Sequence, residues 1–350
     1  MKGTVRCDLL VIGAGPAGAT AARAAAQEGL KVLVIDKKAA IGEPVQCAGY
    51  VPKLIRRDVS FDHKCIIQEV DRMKTYLPSG DRIETGAPGY MLDRRLFDRD
   101  LAFAAGEAGA DISLETVALS LWRDVVLAKR KGEKIEIRAR VIIGADGPKS
   151  TVGQWINQVN SEFISAVQVE VPLNEKTDCT EVYFDLEFTG GYGWLFPRGR
   201  KANVGVGVNI RSGRKPMDAL RFLLGKLEAE GRVEIEKELC FTKGLIPVNG
   251  YLGKTHAKNM LLVGDAGGQA NPMTGAGIFS AVCCGRMGGS IAAGAIKRGK
   301  PTDLGEYEAQ WHELFGDSLR RAQERRKFLD SNWNEREFEL ALRKTWMAFG

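Results

Sequence analysis

The chain has 350 residues, 44% hydrophobic and 27% charged, which allows at least one sizeable core and excludes long disorder. Its formal charge of +6 permits contact with anionic lipid headgroups or a polyanionic substrate without singling out either, and no nucleic-acid partner is expected. Seven cysteines, with no C-x-x-C pair and no metal-type spacing, exclude a disulfide-stapled scaffold, point to a reducing cytosol and give no metal site.

Lys2 and Arg6 precede an apolar stretch as in a signal peptide, but glycines interrupt that stretch almost at once. No uninterrupted apolar run approaches the roughly 18 to 20 residues that span a bilayer. Residues 7–12 form a short, partly β-branched run that predicts a buried parallel strand. Gly13-Ala14-Gly15-Pro16-Ala17-Gly18 follows, then an alanine-rich helix over 19–28 that stops at Gly29. A second buried strand, 31–35, ends in Asp36, with Lys37 beside it.

Each glycine has a distinct task in this pattern. Gly13 permits the tight turn, Gly15 lets the backbone approach a pyrophosphate, and Gly18 allows close helix-to-strand packing. Asp36 is placed to accept hydrogen bonds from the adenosine ribose, and the helix amino terminus faces the phosphates. The motif indicates a bound dinucleotide but does not separate FAD from NAD(P).

Further along, strand 141–143 leads into Gly144-Ala145-Asp146-Gly147, and strand 259–263 leads into Gly264-Asp265-Ala266, with Pro272, Gly275 and Gly277 beyond. Residues 164–171, 180–188 and 202–210 are β-branched and partly alternating, which predicts an antiparallel sheet. From Leu304 the pattern is helical, with Leu304, Tyr307, Trp311, Leu314, Phe315 and Leu319 on one face. A second face holds Phe338, Ala341, Leu342, Trp346 and Phe349. These faces pack on the protein body or meet lipid, and interleaved charges do not decide which. Cys283 and Cys284, in a helix of small residues, are read as packing.

Taken in this order, the Asp146-Gly147 and Gly264-Asp265 turns resemble the D-G and G-D motifs of the flavoprotein monooxygenase superfamily. Within it, residues 42–49 (Gly-Glu-Pro-Val-Gln-Cys-Ala-Gly), 90–98 and Tyr192-Gly193-Trp194-Leu195-Phe196-Pro197 resemble the geranylgeranyl reductase family, including the archaeal digeranylgeranylglycerophospholipid reductases. The resemblance covers roughly residues 4 to 300. Three positions depart from it: Thr189 stands where the longer aromatic motif opens with proline, Gly153 where the superfamily often has arginine, and Asp36 where many relatives have glutamate.

The resemblance implies an α/β fold, α+β overall: a Rossmann-like, glutathione-reductase-type FAD-binding domain with an inserted antiparallel substrate domain and C-terminal helices. The FAD domain is expected to be discontinuous, at 1–60, 88–158 and 250–300, with 61–87 and 159–249 forming the substrate domain and 301–350 a helical tail. FAD is the implied cofactor, held by Gly13, Gly15, Ala17, Gly18, Asp36, Lys37, Cys47, Ala48, Gly49, Arg94, Asp146, Gly147, Gly264, Asp265, Gly275, Ala276, Gly277 and Ile278. Arg95 is the alternative to Arg94.

Tyr192, Trp194 and Phe196 are expected to wall the substrate cavity, with Cys47 beside the flavin or substrate and Tyr192 a candidate proton donor. The implied reaction is hydride transfer from reduced flavin to double bonds of geranylgeranyl groups in a lipid or prenyl diphosphate. No second glycine-rich motif is present for a resident nicotinamide nucleotide, so NAD(P)H binding transiently, or a ferredoxin-like donor, supplies the electrons. The expected location is cytoplasmic, with peripheral membrane contact left open. Two other readings remain at this point. One is a flavin monooxygenase or halogenase of small aromatics, since Tyr192–Pro197 partly resembles the halogenase W-x-W-x-I-P. The other is a non-catalytic prenyl carrier.

Overall fold

A computed structural model describes residues 4–235 and 238–349; Lys2, one of the two cations ahead of the opening strand, lies outside them. In chain order the strands are β1 (Val5–Ile12), β2 (Val32–Ile35), β3 (Tyr50–Pro52), β4 (Ile66–Tyr76), β5 (Arg82–Leu92), β6 (Asp111–Ser113), β7 (Thr116–Trp122), β8 (Val125–Arg130), β9 (Glu133–Gly144), β10 (Phe163–Pro172), β11 (Cys179–Tyr183), β12 (Gly193–Arg198), β13 (Lys201–Asn209), β14 (Phe241–Pro247), β15 (His256–Ala257) and β16 (Met260–Leu262). The helices are α1 (Pro16–Gln27), α2 (Arg94–Glu107), α3 (Thr151–Trp155), α4 (Pro216–Ala229), α5 (Ile278–Lys297), α6 (Gly305–Trp311), α7 (Asp317–Ser331) and α8 (Phe338–Thr345).

The first sheet runs β15-β16-β9-β1-β2-β6, and the β7–β8 hairpin joins it through β9. Strands β16, β9, β1, β2 and β6 are mutually parallel. The register sets Ile12 opposite both Ile35 and Gly144, and Leu262 opposite Gly144. Four carboxyl ends therefore stop at one edge. The turns that leave them carry Gly13 to Gly18, Asp36, Asp146 and Asp265, at the place where parallel α/β sheets bind ligands.

Helix α1 is rich in alanine because it is covered on two sides, by the sheet and by α5. The α1–α5 contact is backbone on backbone. A Cβ on Gly285 would lie 2.2 Å from the Ala17 carbonyl oxygen, and one on Gly289 would lie 2.2 Å from that of Ala21. Cys283 and Cys284 are buried in α5 as packing residues, and burial pushes the Cys283 thiol up to about 12. Among the described residues α5 alone is long and apolar enough to cross a membrane, yet 78% of the qualifying stretch is buried inside the protein.

The second sheet runs β14-β10-β13-β12-β11-β4-β5-β3, with α4 packed on its valine-rich face. It departs from a purely antiparallel sheet at one seam: β4 and β11 run parallel, from Arg72 opposite Cys179 to Tyr76 opposite Tyr183. The β4–β5 hairpin enters from an earlier stretch of chain, so no turn constrains its direction against β11. The strand expected over 180–188 ends at Tyr183. Asp185 accepts a hydrogen bond from the Glu187 backbone N–H at 3.0 Å and starts the 3₁₀ turn Leu186–Phe188.

In the tail Leu304, Tyr307, Trp311 and Leu319 are buried as expected, but Leu314 is 62% exposed. Residues His312–Gly316 form a π turn, whose extra residue advances the phase so that Phe315 packs on the core while Leu314 turns outward. Phe338, Ala341, Leu342 and Trp346 are buried and Phe349 packs against them, so both faces lie on the protein body.

The α1–α5 contact yields a paired expectation. Gly289→Val should cost about 3 kcal/mol through overpacking, whereas Gly294→Ala, whose Cβ would meet only the flexible end of Arg298 at 3.0 Å, should stabilise by about 0.5 to 1 kcal/mol. Equilibrium denaturant unfolding of the two variants checks both signs.

Candidate active site

The glycine-rich turn is built by exclusion. Gly13 has φ +106°, and a Cβ there would lie 2.2 Å from the Ala145 carbonyl oxygen; a Cβ on Gly18 would lie 1.9 Å from that of Gly13. Gly15 differs, because a Cβ on it would meet nothing of the protein within 4 Å. The backbone borders open space there, and α1 begins beyond it with no side chain capping its amino terminus, leaving its first N–H groups to a ligand. Asp36 accepts hydrogen bonds from the backbone N–H groups of Ala14 at 2.7 Å and Lys38 at 2.8 Å, which fixes its carboxylate beside the turn. Lys37 is exposed.

Asp146 accepts from the Ser150 hydroxyl at 2.5 Å and the Thr151 backbone N–H at 2.6 Å, capping α3, while burial raises its pKa against these bonds. Gly147 has φ +83° in the same turn. Gly153 admits no arginine, since a Cβ there would lie 2.4 Å from the Gln158 carbonyl oxygen. The Asn160 amide donates to the Pro148 and Asp265 carbonyls at 3.0 and 2.8 Å, joining the two aspartate turns. Gln269 accepts from the Gly264 N–H at 2.7 Å and donates to the Tyr307 hydroxyl at 2.9 Å, and that hydroxyl donates to the Leu262 carbonyl at 3.0 Å.

Against this fixed frame, the Asp265 carboxyl receives no hydrogen bond from any described residue. Burial pushes its pKa up to about 6, and the Arg94 charge opposes that only partly. One of its oxygens lies against Gly277, the residue that begins α5 without a side-chain cap; a Cβ on Gly277 would stand 3.1 Å from it. Gly275, Ala276 and Ile278 lie on the same turn, which Asn271 ties by accepting from the Met273 and Thr274 N–H groups at 2.9 and 3.1 Å.

The second sheet supplies the opposite side. Arg94 makes a two-bond ion pair with Asp98, at 2.9 and 3.0 Å; burial works against its charge, and the Asp98 carboxylate more than offsets that. Arg95 is instead exposed and pairs with Glu43. The Cys47 sulfur accepts from the Gly49 N–H at 3.4 Å, and its carbonyl accepts from Gln168 at 3.2 Å; Ala48 lies between them. Tyr192, Trp194 and Phe196 share one face, with ring centroids 6.1 and 6.5 Å apart. Trp194 donates to Asn203 at 3.1 Å. The Tyr192 hydroxyl donates to the Thr274 carbonyl, and burial raises its pKa well beyond the ordinary phenol range.

The two sides enclose a cavity of about 30 Å³ bordered by Tyr192, Trp194, Ile246, Thr274, Gly275 and Arg326. The cavity is narrow and partly open to solvent. Sequence reasoning missed Arg326, which is buried and donates to the Gly190 and Pro272 carbonyls while paired with Asp330. It missed Trp346, which packs behind the wall with its ring 5.6 Å from that of Tyr192, and the bridging amides Asn160, Gln168 and Gln269. No motif marks these residues. The charge of Arg326 inside an amphipathic face was the one available signal.

The raised Asp265 pKa makes the folded protein bind more protons than the unfolded chain between about pH 4 and 6. This group therefore lowers stability as pH rises through that window, by on the order of 3 kcal/mol once fully ionised. In flavin-free protein Asp265→Asn should stabilise at pH 7.5 and bring little change at pH 4, as read by the thermal midpoints of both forms across that range.

A geranylgeranyl reductase catalytic domain is matched over residues 162–244, and an NAD(P)-binding Rossmann-like domain over residues 11–63. The chain is 37% identical to digeranylgeranylglycerophospholipid reductase 2 of Methanopyrus kandleri, over 95% of this chain and 89% of that protein. Among solved structures, a geranylgeranyl bacteriochlorophyll reductase-like protein from Thermoplasma acidophilum superposes with a TM-score of 0.86 at 28% identity, covering 99% of this chain and 92% of that one. A flavin-dependent brominase, Bmp2, superposes with a TM-score of 0.73 over 98% of this chain and 95% of that one, but at 16% identity it shares the fold alone. With such identity over nearly the whole of both chains, this protein belongs to the geranylgeranyl reductase family, alongside the digeranylgeranylglycerophospholipid reductases.

Proposed function

We propose that the protein binds FAD and reduces carbon–carbon double bonds in the geranylgeranyl groups of a prenyl lipid or prenyl diphosphate. The observation that carries this reading is the shared cavity: the aromatic strand β12 forms one wall, and the turn ahead of α5 forms the other. On this reading substrate and flavin meet at Gly275. The residues fit FAD in two respects. The open space beside Gly15, under an uncapped helix amino terminus, suits a pyrophosphate, and the Asp265 carboxyl, which lacks a protein donor, suits the hydroxyls of a ribityl chain. Asp36 would take the adenosine ribose, and Arg94 and the Cys47–Gly49 loop would border the flavin ring.

Reduced FAD supplies the hydride, and the second alkene carbon must gain a proton. An isolated alkene has no carbonyl to polarise, so the chain's own contribution is positional and dry. Tyr192 and Trp194, with Trp346 behind them, would hold the prenyl segment against the Gly275 turn and exclude bulk solvent. The Tyr192 proton is engaged by the Thr274 carbonyl. Its hydroxyl then serves to hold that turn, and the proton comes from a water kept in the cavity. Electrons arrive from NAD(P)H or a ferredoxin-like donor, and the protein works in the cytoplasm with peripheral contact to the membrane that holds its substrate.

Incubating chemically reduced holoprotein with digeranylgeranylglycerol phospholipid should give mass increments of two daltons per double bond; unchanged masses with bound, reoxidisable flavin would overturn the reading. Tyr192→Phe should retain reduction to within about tenfold. A hydroxyl acting as the proton donor would instead lose on the order of a hundred- to ten-thousandfold, and single-turnover flavin reoxidation by substrate separates the two.

A further inference from the structure

A second cavity, of about 250 Å³, lies outward of the first and shares Met273 and Thr274 with it. Its remaining lining divides by chemistry. Trp346 and Met347 are apolar, whereas Asn271, Ser318, Arg321 and Arg325 are hydrogen-bond donors. Ser318, Arg321 and Arg325 recur at three- and four-residue spacing on α7, so they stand in one row about a turn, or about 5 Å, apart.

No described residue uses these donors. On the same helix Arg320 is held by Asp317 and Glu324, and Arg326 by Asp330. Neither Arg321 nor Arg325 has an ion-pair or hydrogen-bond partner among the described residues, and the Ser318 hydroxyl and Asn271 amide nitrogen likewise have none. Two like charges at i, i+4 disfavour a helix, and an anion between them reverses that sign. Guanidinium groups a turn apart match the several oxygens of a phosphate.

We propose that this outer cavity is the phosphate site of the prenyl substrate: Arg321 and Arg325, with Ser318 and Asn271, hold the phosphate of a phosphoprenyl compound at the mouth. From there the chain runs past Met273 and Thr274 into the aromatic cavity. The inference rests on the reductase reading for the nature of the chain, and it deepens that reading by assigning the charged end. Arginines at the mouth give the substrate a direction, so the double bond that reaches Gly275 is set by its distance from the phosphate. A pyridine nucleotide and free phosphate present the same chemistry to two arginines, and comparison of the ligands tells these sources apart.

The test compares geranylgeranyl phosphate with geranylgeraniol, which carries the same chain without charge, in one neutral detergent. Binding to FAD-loaded protein is read by calorimetry and by tryptophan fluorescence, which do not depend on turnover. The full-length protein should bind the phosphate at least tenfold more tightly than the alcohol. Arg321→Gln/Arg325→Gln should remove most of that difference and leave alcohol binding, flavin content and thermal midpoint unchanged, while Arg320→Gln keeps the difference.

Equal weakening of both ligands, or no weakening of either, would overturn the proposal. So would inorganic phosphate binding as tightly as geranylgeranyl phosphate, or a rise in the KM for NADPH with prenyl phosphate binding intact. If binding follows the expected pattern but no double bond is reduced, the reductase reading fails and the phosphate site stands.

Discussion

Everything at the candidate site depends on how closely α1 approaches its neighbours. A parallel sheet can present its strand ends to a dinucleotide only if the first helix leaves its strand in a turn too tight for a Cβ, then lies close enough to a second helix to anchor both. Gly13 and Gly18 meet the first condition and Gly285 and Gly289 the second, each with backbone oxygen where a methyl would go. The contact aligns the amino termini of α1 and α5 with the carboxyl ends of β1, β2, β9 and β16. Two helix dipoles and three acidic turns converge there as a consequence.

Polar bonding at this edge is unevenly distributed, and that unevenness carries the functional reading. Asp36 and Asp146 are each satisfied by backbone or hydroxyl donors, so they fix the turns they sit in. Asp265 is held through its main chain, by Asn160, while its carboxyl is left without a donor and resists ionisation. A partly buried carboxyl without a donor costs stability when ionised, and a ligand hydroxyl that donates to it offsets that cost. The same asymmetry recurs on α7, where Arg326 is fully engaged and its neighbours Arg321 and Arg325 are not.

The aromatic cluster around Tyr192 and Trp194, the two rings that border the cavity, comes from three parts of the chain. Tyr192, Trp194 and Phe196 come from the second sheet, Phe184 from the segment after β11, and Trp346 from the end of α8. Because Trp346 closes against Tyr192, and Arg326 clamps Gly190 and Pro272, the C-terminal helices bind the two sheets to each other at the cavity. One residue of the cavity border, Arg326, thereby comes from a tail that carries no recognisable motif.

The dinucleotide fold was legible in the sequence because its requirements are local and steric. Glycine spacing, β-branched runs and an acid at a strand end are each dictated within a dozen residues, and the shared alternation of Tyr192, Trp194 and Phe196 needs only a strand's period of two. Three-dimensional packing alone decided which carboxylates are spent. Asp146 and Asp265 look alike in the chain, yet one finds the donors of α3 and the other finds none within reach. Packing also aimed the Tyr192 hydroxyl at the Thr274 carbonyl, 82 residues away, turned Leu314 outward through a π turn, and made β4 and β11 parallel. A sequence displays what a backbone can do at each position, but the partner of a polar group is set by elements far apart in the chain, and only the assembled structure brings them to hydrogen-bonding distance.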